Sequence, residues 1–168
     1  NWAGIWGAAE NDIWAVGNGS TVLHWDGQIW TTPSMGIPTG IDLQTVWASA
    51  PDDIWVGGVN TARTSGFIYH FDGSTWKQSY AGSRAVNAIH GTSRSDVFAV
   101  GGASTTGLGE LRRWNSTAAT WDSVNIGTVA ELLGVWVNAP QDIWAVGSVG
   151  TFLRIKGTLA TSLFAVPP

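Results

Sequence analysis

The sequence predicts an all-β fold in which one small four-stranded sheet is repeated four times, and three observations carry that reading. The first is a recurring phrase, Asp-Ile-Trp-Ala-Val-Gly. It occurs at residues 12–17 and 142–147, and in close variants at 53–58 (Asp-Ile-Trp-Val-Gly-Gly) and 96–101 (Asp-Val-Phe-Ala-Val-Gly), so the aspartates are spaced 41, 43 and 46 residues apart. The second is that each period holds four short runs of Trp, Val, Ile and Phe, separated by Gly, Asp, Asn, Pro or Ser. These are strand and turn residues. The third is that no apolar period of 3.6 residues runs long enough for a helix. Four strands repeated every ~42 residues is the pattern of a β-propeller blade.

The elements follow in order within each period. An innermost strand comes first, with an aliphatic residue before a matched aromatic position: Ile5-Trp6, Val46-Trp47, Ile89-His90 and Val135-Trp136. The Asp-Ile-Trp phrase forms the second strand. Residues 22–25, 68–71, 111–114 and 152–155 form the third, followed by a turn such as Asp26-Gly27 or Asp72-Gly73. The fourth carries Trp30, Trp76, Trp121 and Phe164. The expected blades are 1–41, 42–84, 85–130 and 131–168, within one domain spanning 1–168. Strands such as Ile-Trp-Ala-Val, apolar at successive positions, are suited to burial on both faces between neighbouring blades. The small residues Gly4, Thr45, Ala88 and Gly134 share one innermost-strand position and allow close packing near the axis.

Composition narrows the function. Only 12% of the 168 residues are charged and the net charge is −4, against an average charged share of about 25%. A nucleic-acid binder needs a basic face, so that class is excluded. There is no cysteine, hence no disulfide and no thiolate metal site. No apolar run approaches the ~18 residues of a membrane span. Twelve tryptophans, 22 glycines and low charge fit a secreted or cell-surface protein. The triplets Asn18-Gly19-Ser20 and Asn115-Ser116-Thr117 are glycosylation sequons of a kind that also arises by chance.

The Trp-Ala-Val-Gly strand, the Asp-Gly-x-x-Trp turn (residues 26–30 and 72–76) and the period resemble the BNR or Asp-box-like propellers and the kelch-like repeats related to them. An Asp box proper has Ser or Thr two positions before the Asp, and one residue between Asp and Gly. Here His24 and His70 hold the first place and Gly follows Asp directly, so the resemblance does not imply sialidase chemistry. Residues 25–30 are also similar to turns in small fucose-binding propeller lectins, which build a ring from several short chains.

Most of the distinctive residues read as architecture. Eleven of the twelve tryptophans fall on four repeated positions, as inter-blade packing requires. The repeated Asp12, Asp53, Asp96 and Asp142 are placed to accept hydrogen bonds from turn amides. His24 and His70 stand where Arg113 and Arg154 stand in the other blades, a position for a polar tip on a packed stem. His90 differs, because it replaces a repeated Trp near the axis. Polar residues that break the repeat gather at one end of the axis: Asp42 and Glu131 just before innermost strands, and Gln44 and Asn87 just after their starts. Two insertions open on the same face, residues 60–66 with Arg63 and residues 103–110. Ligands favour such variable loops on a rigid scaffold. The candidate ligand-binding set is therefore Asp42, Gln44, Asn87, His90, Glu131 and Arg63. Asp42 and Glu131 are the candidate metal ligands, of the hard-oxygen type that holds Ca²⁺.

The leading expectation is a recognition module that binds a glycan, a protein or a small molecule at the axial face. The competing expectations are a metal-dependent hydrolase of lactonase or phosphotriesterase type, with its site in the axial channel, and a structural scaffold repeat. End blades as apolar as the inner ones predict a homodimer, two four-bladed halves closing one eight-bladed ring.

Overall fold

The computed structural model describes residues 1–103, 107–127, 129–157 and 159–164, and no helix occurs among them. Sixteen strands form four antiparallel sheets, each built from four strands consecutive in sequence and in space. The first sheet holds β1 (Trp2–Ala9), β2 (Asp12–Gly17), β3 (Thr21–Trp25) and the short β4 (Trp30–Thr31). The second holds β5 (Ile41–Ala50), β6 (Asp53–Asn60), β7 (Gly66–Phe71) and β8 (Trp76–Gly82). The third holds β9 (Ala85–Ser93), β10 (Asp96–Ala103), β11 (Leu108–Asn115) and β12 (Thr120–Val124). The fourth holds β13 (Leu132–Ala139), β14 (Asp142–Gly147), β15 (Phe152–Lys156) and β16 (Leu159–Phe164). The fourth strand of the last sheet is therefore at the expected place; the Phe164 side chain lies outside the described residues.

The glycine that closes the repeated phrase is explained by a bulge. In every sheet the first two strands slip register at that glycine, leaving Ala3, Gln44, Asn87 and Leu133 as the extra residues. The kink drives a carbonyl onto the glycine. A Cβ at Gly17, Gly58, Gly101 or Gly147 would lie 2.2, 2.2, 1.8 or 2.3 Å from the carbonyl oxygen of Asn1, Asp42, Ala85 or Glu131. No side chain fits that gap.

A second bulge near the other end of the same strand pair leaves Ala8, Ser49, Thr92 and Asn138 unpaired. Bulges re-aim side chains, and here they aim at the repeated aspartate. Ser49 Oγ donates to Asp53 Oδ2, Thr92 Oγ1 to Asp96 Oδ2 at 2.8 Å, and Asn138 Nδ2 to Asp142 Oδ2 at 3.1 Å. Oδ1 meets the third strand in every sheet, and in the fourth Oδ2 does so as well. His24 Nε2 lies 2.7 Å from Asp12 and His70 Nε2 lies 2.6 Å from Asp53. Arg113 reaches Asp96 at 3.3 Å, and Arg154 grips Asp142 with two bonds of 2.7 and 3.0 Å. The aspartates thus accept from side chains instead of the turn amides the sequence implied. The same third-strand residues stack on the repeated aromatic: His24 on Trp14 at 4.2 Å, His70 on Trp55 at 3.7 Å, Arg154 over Trp144 at 4.6 Å and Arg113 over Phe98 at 5.6 Å. His24 and His70 pair with these aspartates, and the His-x-Asp neighbours Asp26 and Asp72 serve their turns, Asp72 also accepting from Lys77 Nζ at 2.8 Å. Asp26 accepts from the amides of Gln28 and Ile29, and Asp72 from those of Ser74 and Thr75.

Each sheet packs its innermost strand onto the face of the sheet before it: β5 on β1 and β2, β9 on β5 and β6, β13 on β9 and β10. Small residues permit the approach, as where the Cα of Thr45 comes within 3.2 Å of the place a Cβ on Gly4 would take. Polar bonds lock it. Trp6 Nε1 donates to the Ala48 carbonyl at 3.0 Å, the Ile89 amide to Thr45 Oγ1 at 3.1 Å and Trp121 Nε1 to Ser79 Oγ at 3.2 Å. The deepest core lies at these junctions, around Trp55, Phe98, Leu43 and Leu132. The outer faces of the array are different. Trp2, Ile5 and Trp30 on the first sheet and Leu133, Trp136 and Val146 on the last are all exposed. Tryptophan at a repeated position is therefore core only where a neighbouring sheet covers it.

Candidate functional site

Asp42, Gln44, Asn87 and Glu131 lie at or just before the starts of innermost strands, and Arg63 lies in a turn next to one of them. Ile41 pairs with Asn60, which sets the β6–β7 turn beside the start of β5. Arg63 sits at the tip of that turn, exposed and at φ 57°, and Asn60 Oδ1 organises the turn by accepting from the amides of Thr64 and Ser65. Asp42 joins the first two sheets by accepting from the Gly19 amide at 3.1 Å, next to a 2.6 Å bond from the Ser20 amide to the Ile41 carbonyl. Gln44 and Asn87 are bulge residues, both half-buried. Asn87 Nδ2 donates to Glu131 Oε1 at 3.0 Å and to the Leu132 carbonyl at 2.8 Å, joining the third and fourth sheets. Asn87 and Glu131 are thus brought together, whereas Asp42 and Glu131 serve different junctions. Among the described residues no three His, Asp or Glu side chains gather as a metal site would need. Part of the second insertion, residues 104–106, lies outside the described residues.

His90 lies deeper, on the axis. Its ring is 4.3 Å from Trp136, 5.9 Å from Trp6 and 6.0 Å from Trp47, so it touches the matched residue of every other sheet. Nδ1 accepts the Val137 amide at 3.1 Å, which assigns the ring proton to Nε2. Burial pushes the imidazole below its ordinary pKa of 6.5. The geometry is that of a neutral, hydrogen-bonded joint.

One feature escaped sequence reading. A crevice of about 670 Å³ opens between the first and second sheets, lined among others by Asp12, Trp14, His24, Met35, Phe71 and Trp76. Asp12 is 7% exposed. Its Oδ1 receives both Trp14 Nε1 at 2.9 Å and His24 at 2.7 Å. Its Oδ2 is buried with no hydrogen-bond partner among the described residues. The sequence signal was available: the bulge residue four places before the aspartate is Ala8 here and a hydrogen-bond donor in the other three repeats.

Four blade-like sheets, each packing its innermost strand on the sheet before it, define the chain as a β-propeller repeat protein. No known family model matches the sequence, and no curated protein matches it. The fold is similar to solved propellers. YCF48 bound to a D1 peptide superposes with a TM-score of 0.65 at 16% identity, covering 96% of this chain and 53% of that one. YCF48 from Cyanidioschyzon merolae gives 0.65 at 16% identity, covering 99% and 56%. A luciferin-regenerating enzyme gives 0.63 at 12% identity, covering 98% and 62%. The chain therefore spans little more than half the length of the propellers it resembles.

Proposed function

We propose that the chain is a recognition module whose ligand is a segment of another protein, held on the rigid rim and its adjoining crevices. The observation that carries this reading is the likeness, over 96% of the chain, to a propeller solved with a peptide bound. It is an argument from fold, and local chemistry supports it. Asp42, Gln44, Asn87, Glu131 and Arg63 offer donors and acceptors at one end of the array, with His90 fixing the axis beneath them. Kinship with Asp-box or kelch-like repeats and a secreted or surface location belong to the same reading.

The reading includes an assembly. The exposed face of the first sheet is the repeat equivalent of faces that β5, β9 and β13 bury, and the exposed face of the last is the equivalent of their acceptors. Two copies joined head to tail satisfy both ends with a closed two-fold, giving eight blades.

The test probes the intact chain against a linear peptide library and a glycan array in parallel. Saturable peptide binding, competed by the free peptide, is the expected result. Binding to glycans without peptides, or turnover of lactone or phosphotriester substrates dependent on Ca²⁺, overturns the reading.

A further inference from the structure

We propose that the crevice between the first and second sheets is a receptor for a basic side chain, arginine or lysine, of the bound protein segment. The proposal rests on the recognition reading and names the site and the chemistry it selects.

Four copies of one unit make the comparison possible. Each sets an aspartate, buried in the first three copies and half-buried in the fourth, beside an aromatic ring and a third-strand side chain. In two copies the third-strand group is a guanidinium: Arg113 between Asp96 and Phe98, Arg154 between Asp142 and Trp144. The chain itself therefore satisfies this unit with a cation over an aromatic face. In the first copy the third-strand residue is His24, and the aspartate is short of a donor. Ala8 stands where Ser49, Thr92 and Asn138 donate, so Asp12 Oδ2 is uncompensated in a low-dielectric site, where an unpaired polar group costs most.

The crevice is open for a physical reason. At the next junction Trp114 and Trp121 close over Trp55 at 4.9 and 5.4 Å, and Trp114 also reaches His70 at 6.2 Å. The matching residues at the first junction are Phe71 and Trp76. Trp76 reaches Trp14 edge-on at 5.9 Å and leans on Phe71 at 5.3 Å. The smaller Phe71 leaves the space beside His24 unfilled. The result is a cleft with aromatic walls, an acidic floor and no Lys or Arg in its lining. Asp12 Oδ2 is closed to solvent, so a guest cation lies against the faces of Trp76 and Phe71 and meets the carboxylate through its field.

The probes are N-acetyl-arginine amide and its neutral isostere N-acetyl-citrulline amide, titrated into the intact chain while indole N–H resonances are followed. Arginine amide shifts Trp14 and Trp76 saturably, and citrulline amide binds at least about tenfold more weakly. Two variants import residues the repeat already tolerates: Phe71→Trp fills the cleft as Trp114 does, and Ala8→Ser supplies the donor that Ser49 supplies. Phe71→Trp abolishes the shifts and Ala8→Ser weakens binding severalfold, with the other indole resonances unmoved. Equal binding of citrulline amide, a response unchanged in Phe71→Trp, or no response to arginine amide up to about 10 mM overturns the proposal. Peptide-library binding that ignores Phe71→Trp leaves the recognition reading standing and removes this site. A crevice that takes arginine amide in a chain that binds no library peptide does the reverse.

Discussion

The backbone amide of Val137 donates to Nδ1 of His90 at 3.1 Å, so the third and fourth sheets are joined through an imidazole that must stay neutral. Burial holds the His90 pKa below 6.5. The sign follows from linkage: the unfolded chain takes up the proton more readily, so this contribution to stability is full above pH ~6.5 and is lost as pH falls through the folded value. An NMR titration of the His90 ring is expected to give a midpoint below 6.5, and a midpoint at or above it refutes the neutral-joint assignment.

Gly58 lies 2.2 Å, measured from an added Cβ, from the Asp42 carbonyl. Its φ is ordinary, so the obstacle to a side chain is collision and not backbone preference. Gly58→Ala is expected to cost about 1–3 kcal/mol, the usual penalty of forced overpacking, read as a lower urea midpoint. At Gly36, where an added Cβ meets nothing within 4 Å, the φ of 62° leaves only the smaller conformational cost.

The orphaned Asp12 Oδ2 predicts a stabilising substitution. Ala8→Ser is expected to raise stability by about 0.5–1.5 kcal/mol, the net worth of one hydrogen bond. Ser49→Ala removes the equivalent donor from Asp53, which is fully buried, and is expected to cost about 1–3 kcal/mol. Thermal melts of the two variants moving in the same direction would contradict this.

Trp55 is fully buried and Trp30 is 45% exposed. Trp55→Ala is expected to cost about 3–5 kcal/mol. Trp30→Ala in the isolated chain is expected to stay within about 0.5 kcal/mol. Denaturant titrations showing equal losses would mean that the outer face of the first sheet is covered.

Ile5 is 69% exposed on that face. The proposed head-to-tail dimer would bury it, so Ile5→Asp would place a charge in that interface and is expected to yield monomer. Light scattering should find twice 17.8 kDa for the parent chain at micromolar concentration. A parent chain that is already monomeric defeats the dimer.

The fold was legible because each sheet is a local object. Its strands follow one another in sequence, so the Asp-Ile-Trp phrase, the Asp-Gly turns and the aromatic spacing fix sheet, order and register together. The candidate site was legible only in part. Asn87 and Glu131 meet across the junction of the third and fourth sheets, whereas Asp42 bonds across the first junction, because residues alike in repeat position can belong to different clefts. His24 and His70 were seen as polar tips, yet their partners twelve and seventeen residues away, Asp12 and Asp53, were not, since strand pairing and not spacing brings them together.

The sequence by itself determined four sheets, their strand order and the small residues that let them stack, since these follow from nearest-neighbour patterns within one period. Only the tertiary structure decided which tryptophans are core, which bulge residue caps which aspartate, and that the first junction stays open where the second is sealed. Those outcomes depend on a difference of one side chain: Phe71 against Trp114 acts across a gap between sheets, and Ala8 against Ser49 acts within one strand pair. The size of such a gap is set by packing on both sides at once, which no single stretch of chain encodes.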